Sequence, residues 1–351
     1  MRVSEGAYRM NSQGGFIHLH FDSSFANAFI TSTVERPLKT VNLAPLEIRH
    51  AVYSELIRLS PASGYRRSLV IGPKGLIERG FSLADANAFG GLPPNRRDRD
   101  ELCFRLHRFL LRSFPALKQQ QISPLIGVPG FWQESGRVRL WKKIDYEYPF
   151  LVIPYRDAEG RIQACQLRSS GLENEIRKRY CWLSSAGEPN GTGTGDPIHF
   201  TFLAANCPAN SSLIVTEGAL KAESFVHRQP DKFVIAVSGI GNSRDKLIAA
   251  TQGHDLLIAF DSDHSSNPAV AGQLASLIAD RARDLDEHSL ANSTKVMVWD
   301  NQAKGIDDAA LLNLPMRTIT VQEWYSTLTG NVLERVKNIW EQLGFSLPSF
   351  C

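Results

Sequence analysis

Cysteine is scarce in this chain, with five in 351 residues: Cys103, Cys165, Cys181, Cys207 and Cys351. Their number is odd and none forms a C-x-x-C pair, which argues against structural zinc and against a disulfide framework. Reduced, mostly buried thiols are expected instead. Long apolar runs are also missing. None approaches the roughly 20 residues needed to span a bilayer, so no membrane partner is expected. Met1-Arg2-Val3-Ser4-Glu5-Gly6 is not followed by the apolar core of a secretion signal, so the expected location is cytoplasmic. The phosphate-loop pattern G-x-x-x-x-G-K-[ST] occurs nowhere, which disfavours an ATP-driven motor. There is no internal repeat and no Ser/His/Asp triad. His199, His227, His254 and His264 are scattered, and His264 is expected to be solvent-exposed.

What remains is an ordinary globular composition, 43% hydrophobic and 21% charged, long enough for two domains. The net charge of +3 hides an asymmetry. Residues 1–200 carry 27 Lys+Arg against 19 Asp+Glu, and residues 201–351 carry 12 against 17. A front half at +8 beside a rear half at −5 suits a polyanion held by one part and processed by the other. Plain solvated surface accounts for the same numbers.

Apolar spacing predicts an amphipathic helix over 44–59, broken by the Ser-Pro-x-Ser-Gly stretch at 60–64. Ser82 is a plausible N-cap for a short helix over 83–89. A second helical pattern over 98–113 carries Arg105, Arg108 and Arg112. Residues 137–168 read as β structure, with a strand over 149–154, a turn at 157–160 and a returning strand over 161–168. The stretch GEPNGTGTG at 187–195 is a loop. Past about 204–211 the pattern becomes a clear strand–helix alternation: strands 213–216, 233–237, 255–260 and 295–299, with helices 219–228, 243–251, 268–284 and one from Asp307. This predicts an α/β fold with a mostly parallel sheet flanked by helices. Residues 322–345 read as one further amphipathic helix.

Three acidic clusters fall at the ends of these strands: Glu217 in VTEG, Asp261 and Asp263 in FDSD, and Asp307 and Asp308 in KGIDD. Strand ends on one edge of a parallel sheet form its functional face. Carboxylates gathered there repel unless a cation joins them, and hard oxygen donors suit Mg²⁺ or Mn²⁺. Each cluster has a plainer explanation. Glu217 could sit at a helix N-terminus, favoured by the macrodipole. Asp261 and Asp263, two apart in extended backbone, would face one way, but Asp is equally common in turns. Asp307 could start a helix. Lys221, one turn after Glu217, could neutralise a phosphate or pair with the Glu. Gly239 in AVSGIG permits close backbone approach.

LIVTEGALKA, the AVSG turn, LIAFDSD and KGIDD, in this order and spacing, resemble the Toprim domain of bacterial-type primases, topoisomerases and certain nucleases, over about residues 211–315. The resemblance implies that Glu217 is a general acid/base and that Asp261 and Asp263 hold Mg²⁺; Lys221 is a further catalytic candidate, and Asp307, Asp308 and Glu217 are further candidates for the metal set. Upstream, ERGFSLADANAFGGLPP, IPYRDAEGRIQACQLR and RKRYCWLSS resemble phrases of the bacterial primase polymerase core. By that likeness Arg168, Lys178, Arg179 and Tyr180, with Gly239 and Lys304, lie on the nucleic-acid or nucleotide side. LIGVPGFW further resembles plasmid- and phage-borne Toprim proteins. The family primase usually carries an acidic residue four positions after the first Glu, where this chain has Lys221. No zinc-binding domain precedes the core, and 318–351 is too short for the usual helicase-binding domain.

The resulting expectation is an arm over 1–43, a mixed α+β primase-like subdomain over 44–205, a Toprim domain over 206–316 and a C-terminal helical segment over 317–351. The expected function is Mg-dependent primer synthesis on single-stranded DNA from nucleoside triphosphates, in replication of a mobile element and with a helicase in trans. A metal-dependent nuclease with the same site is the second reading, because both need in-line attack at phosphorus. A non-catalytic nucleic-acid-binding module is the third. Arg105, Arg108, Arg112, Lys142, Lys143 and Arg177 are further candidate phosphate contacts. Tyr180 and Trp182 are candidate stacking groups, whereas core packing is the better reading for Trp132 and Trp141.

Overall fold

The computed structural model describes residues 8–10, 16–18, 41–170, 179–239, 241, 243–283, 285 and 293–345. Lys178, Arg177 and most of the expected arm lie outside this set. The chain divides into two compact units, Met1–Leu38 and Lys39–Cys351. In the first, β1 (Tyr8–Met10) and β2 (Phe16–His18) pair antiparallel, with Arg9 opposite Ile17.

The second unit opens with α1 (Leu46–Leu59), which buries Ile48, Val52, Tyr53, Leu56 and Ile57 along one stripe. It stops before Pro61, whose ring disfavours a helical residue ahead of it. The short strand β3 (Gly90–Leu92) follows. Then comes α2 (Arg96–Ser113), started by the Asn95 side chain accepting from the Asp98 N–H at 2.8 Å. Its inner face holds Leu102, Cys103, Leu106 and Leu110, which leaves Arg105, Arg108 and Arg112 exposed. A small hairpin, β4 (Phe131–Glu134) and β5 (Arg137–Leu140), leads into β6 (Phe150–Arg156) and β7 (Ile162–Ser169). The β6–β7 turn is pinned by the Asp157 carboxylate, which accepts from the Glu159 and Arg161 N–H groups. With β8 (Tyr180–Trp182) these strands form an antiparallel sheet in the order β3-β6-β7-β8. Phe150, Val152, Cys165 and Leu167 meet α1 and α2 on one face. Leu151, Ile153 and Tyr155 alternate to the other, where they pack with Leu69, Leu76 and Phe89 and with Ala219 and Leu220 from the rear half.

The rear half builds a six-stranded sheet. Along the chain come β9 (His199–Phe200), β10 (Ser212–Glu217), α3 (Ala219–Arg228), β11 (Phe233–Val237) and α4 (Arg244–Ala250). Next are β12 (Asp255–Ile258), α5 (Pro268–Ala282), β13 (Thr294–Val298) and α6 (Ile306–Leu311). The unit closes with β14 (Arg317–Thr320), α7 (Val321–Thr327) and α8 (Gly330–Gln342). The order is β14-β13-β12-β10-β11-β9, with the inner four strands parallel and the two edges antiparallel. Leu213 and Val215 point to the face covered by α4, α5 and α8, and Ile214 to the face covered by α3 and α6.

The connections decide where a ligand can sit. From β10 the chain passes through α3 to β11 on one side, and from β12 through α5 to β13 on the other. Neighbouring strands whose connections leave in opposite directions open a crevice at their carboxyl ends. Here those ends carry Glu217 and Asp261.

The expected elements appear with shifts of one or two residues, except that the short helix expected over 83–89 is a 3₁₀ turn, Asp85–Ala88, and that the C-terminus differs. The single helix expected over 322–345 is two, because Leu328 and Thr329 are extended between α7 and α8. The edge strands β9 and β14 were not expected. No helix among the described residues is long and apolar enough to cross a membrane.

Candidate functional site

The crevice is a cleft of about 310 Å³. Glu217, Gly218, Lys221, Asp261, Lys304, Gly305 and Asp308 line it from the rear half, with Ser238 after β11. Arg79, Gln166, Arg179 and Tyr180 line it from the front half. Glu217 ends β10, and Gly218 turns the chain into α3 at φ +88, a backbone conformation that L side chains rarely adopt. Burial pushes the Glu217 carboxyl up. Lys221 and Lys304 oppose this, while Asp261 and Asp263 reinforce it.

Asp261 and Asp263 follow β12, but the backbone is not extended from one to the other. Ser262–Ser265 is a 3₁₀ turn, so the expected two-residue alternation is not what aligns them. A lysine brings them together: Lys304 Nζ lies 3.5 Å from Asp261 Oδ2 and 3.9 Å from Asp263 Oδ2. The Lys304 carbonyl also accepts from the Ser262 N–H at 2.8 Å, which fixes the two loops to each other. The Asp261 side chain makes no capping bond to the turn. Its Oδ1 accepts instead from Lys221 Nζ. Burial alone would lower the Lys221 ammonium, but Asp261, Asp307 and Glu217 outweigh it and hold it above its usual value.

Asp307 stands in the first turn of α6, whose N-cap is Gly305 rather than an aspartate. Asp307 is buried, and its Oδ2 pairs with Arg79 Nη1 at 2.8 Å. Its Oδ1 has no partner. Burial pushes this carboxyl up, against the pull of Arg79. Arg79 was not among the residues singled out from sequence, although it belongs to the ERGFS phrase. Asp308 is exposed at the cleft.

The other expected residues divide. Arg179 lies over the Tyr180 ring, 5.9 Å from its centroid, and both line the cleft. Gly239 follows Ser238, which lines it too. Arg168 does not: its side chain is buried and donates to the Lys74 carbonyl, and burial pushes its pKa down to about 10, so it stays charged at neutral pH. Trp132 and Trp141 are core. Trp132 Nε1 donates to the Trp141 carbonyl at 2.6 Å, and Trp141 stacks on Tyr146. His264 corrects an expectation. It is buried rather than solvent-exposed, and its Nδ1 accepts from Trp324 Nε1 at 3.1 Å. Burial lowers its pKa, which favours the neutral ring.

Whether the donors fit a divalent cation can be read from their partners. Among the described residues no three His, Cys, Asp or Glu side chains are grouped to hold a metal ion. Mg²⁺ does not require such a cage, because it is often held by one or two carboxylates and completed by substrate phosphates. Asp263 Oδ1 and Asp307 Oδ1 are buried without a partner. Orphaned carboxylate oxygens of this kind fit a hard cation that arrives with a phosphorylated ligand.

No protein-family model matches the chain, and no curated protein matches it in sequence. Solved structures do match. The RNA polymerase domain of Mycobacterium tuberculosis primase DnaG is 19% identical over 85% of this chain and 92% of its own, with a TM-score of 0.52. A DNA primase domain from Pseudomonas aeruginosa is 14% identical over 86% and 97%, with a TM-score of 0.51. The M. tuberculosis domain in complex with double-stranded DNA is 17% identical over 86% and 98%, at 0.50. At such identities the likeness is one of fold: the chain is a mixed α/β protein with a mostly parallel sheet, built like a bacterial primase catalytic core.

Proposed function

We propose that the chain is a primase-like nucleotidyltransferase that makes short primers on single-stranded DNA at a Toprim-type site. The observation that carries this reading is the single cleft in which a half-buried Glu217, Asp261, Asp308, Lys221 and Lys304 meet Arg79, Arg179 and Tyr180. The fold likeness to primase cores adds weight to it. The setting, replication of a mobile element with a helicase in trans, rests on sequence resemblance alone. On this reading residues 206–316 carry the chemistry and residues 44–205 hold the template strand.

In primer extension the 3′-hydroxyl attacks the α-phosphorus of a nucleoside triphosphate and pyrophosphate leaves. Glu217 accepts the hydroxyl proton, a task suited to a carboxyl whose pKa is raised by burial. Lys304, the most exposed of the cleft lysines, meets the triphosphate. Arg179 contacts backbone phosphate, and Tyr180 offers a face for a base. Lys221 holds Asp261 in place. One or two carboxylates among Asp263, Asp307 and Asp308 would hold a divalent cation that the substrate phosphates complete, and it would supply neutralisation of the phosphate charge.

The test is incorporation of labelled nucleotide on single-stranded DNA by wild type and Glu217→Gln. Wild type incorporates label. The variant is expected to lose at least about a hundredfold, the usual scale of a general base, with DNA binding retained. Equal incorporation by both would remove Glu217 from the mechanism.

A further inference from the structure

The Lys221 ammonium sits among three carboxylates, Asp261, Asp307 and Glu217. Lys221 Nζ sits on Asp261 Oδ1, and Lys304 Nζ approaches Oδ2 at 3.5 Å. Both oxygens of Asp261 therefore face ammonium groups. A divalent ion on the same oxygen would meet the full charge of Lys221 at contact distance. Gly305 borders the lysine stem: a Cβ built there would come within 3.3 Å of Lys221 Cε and 2.5 Å of Asp307 Oδ1. The unpartnered Asp307 Oδ1, on a residue only 3% exposed, faces this same space.

We propose that Lys221 is a built-in cation that takes the place of a divalent ion at Asp261, so that the protein alone holds no tight divalent ion and acquires one only with the nucleotide. This rests on reading the cleft as a nucleotidyl-transfer site. The charge pattern is consistent with it. Asp261 is covered by two ammonium groups and Asp307 by a guanidinium, so the carboxylates are compensated before any ligand arrives. An ammonium is a compact point charge and can stand in for a cation's field. It cannot offer the open coordination positions by which a metal ion bridges two ligands. Lys221 is therefore a positioning residue, and the phosphates are left to recruit the metal through one or two of the remaining carboxylates, among Asp263, Asp307 and Asp308.

The experiment is Mn²⁺ titration of the full chain without nucleotide or DNA, with free Mn²⁺ followed by its electron paramagnetic resonance signal. Wild type, Lys221→Met, Lys221→Glu and Lys221→Glu with Asp261→Asn are compared, each checked for folding by circular dichroism. Lys221→Met is expected to bind Mn²⁺ more tightly than wild type. Lys221→Glu adds a donor and gains at least about tenfold, because affinity follows the number of charged ligands. The gain disappears when Asp261 is also removed. If Lys221→Glu fails to fold, Lys221→Met carries the same comparison. Affinity unchanged by either substitution, or a gain that survives loss of Asp261, overturns the proposal. Primer synthesis is not read in this titration. Its absence in a separate assay would end the functional reading, whereas flat Mn²⁺ binding would end only the role given to Lys221.

Discussion

Ionising Glu217 inside the cleft costs free energy, since burial outweighs the attraction of Lys221 and Lys304. A carboxyl whose pKa is higher folded than unfolded binds more protons when folded, so its ionisation erodes stability as pH rises. Glu217→Gln should therefore melt higher than wild type at pH 8, and the difference should vanish below about pH 4.5, where both states are protonated. Thermal melts across pH check this, and a variant less stable at pH 8 would contradict it. Stability held below its optimum at a site is the usual cost of function. That Glu217 and Asp261 reach one cleft was foreshadowed because each stands at the end of an apolar strand. Arg79 was not, because its partner Asp307 lies 228 residues away. His264 was misjudged because nothing local announces Trp324, 60 residues on.

The segment Ile77–Arg79 reaches α6 through the Arg79–Asp307 pair, while Ser224 Oγ on α3 donates to the Arg79 carbonyl at 2.7 Å. Removing one partner of a buried pair leaves a charge uncompensated, at a cost of about 3–5 kcal/mol. Arg79→Met should approach the lower end, because Arg79 keeps some contact with solvent. The Asp307 pKa, already raised, then rises further, so the deficit should grow with pH and shrink toward pH 4 as the carboxyl protonates in both states. Urea unfolding at pH 5 and pH 8 measures it. A deficit below about 1 kcal/mol at pH 8 would rank the pair with exposed ones. Long elements were readable from their apolar period, as α2 illustrates, although its Asn95 cap and its first two residues were not. The break between α7 and α8 was not, although the Thr320–Glu323 capping box marks where α7 begins. The two-residue strand β9 has no period to read and exists only by pairing with β11.

Across the whole molecule the charge divides into +8 before residue 201 and −5 after it, a division that suits the proposed holding of a strand by the front half. Each phosphate neutralised by the protein contributes to the salt dependence of binding. Arg179→Ala should weaken single-stranded DNA binding at low salt and reduce the slope of log K against log[salt] by about 1. An unchanged slope would take Arg179 off the strand. The fold class was legible from the strand–helix alternation. The crevice between β10 and β12 was not, because it depends on a strand order that only the assembled sheet defines.

The central claim is that this cleft joins nucleotides into primers. It is tested most directly by incubating the chain with single-stranded DNA, all nucleoside triphosphates and Mg²⁺ or Mn²⁺, beside Glu217→Gln, and resolving the products by size. New short oligonucleotides are expected from wild type and at least about a hundredfold fewer from the variant. A shortened template without synthesis, or synthesis undiminished in Glu217→Gln, would contradict it.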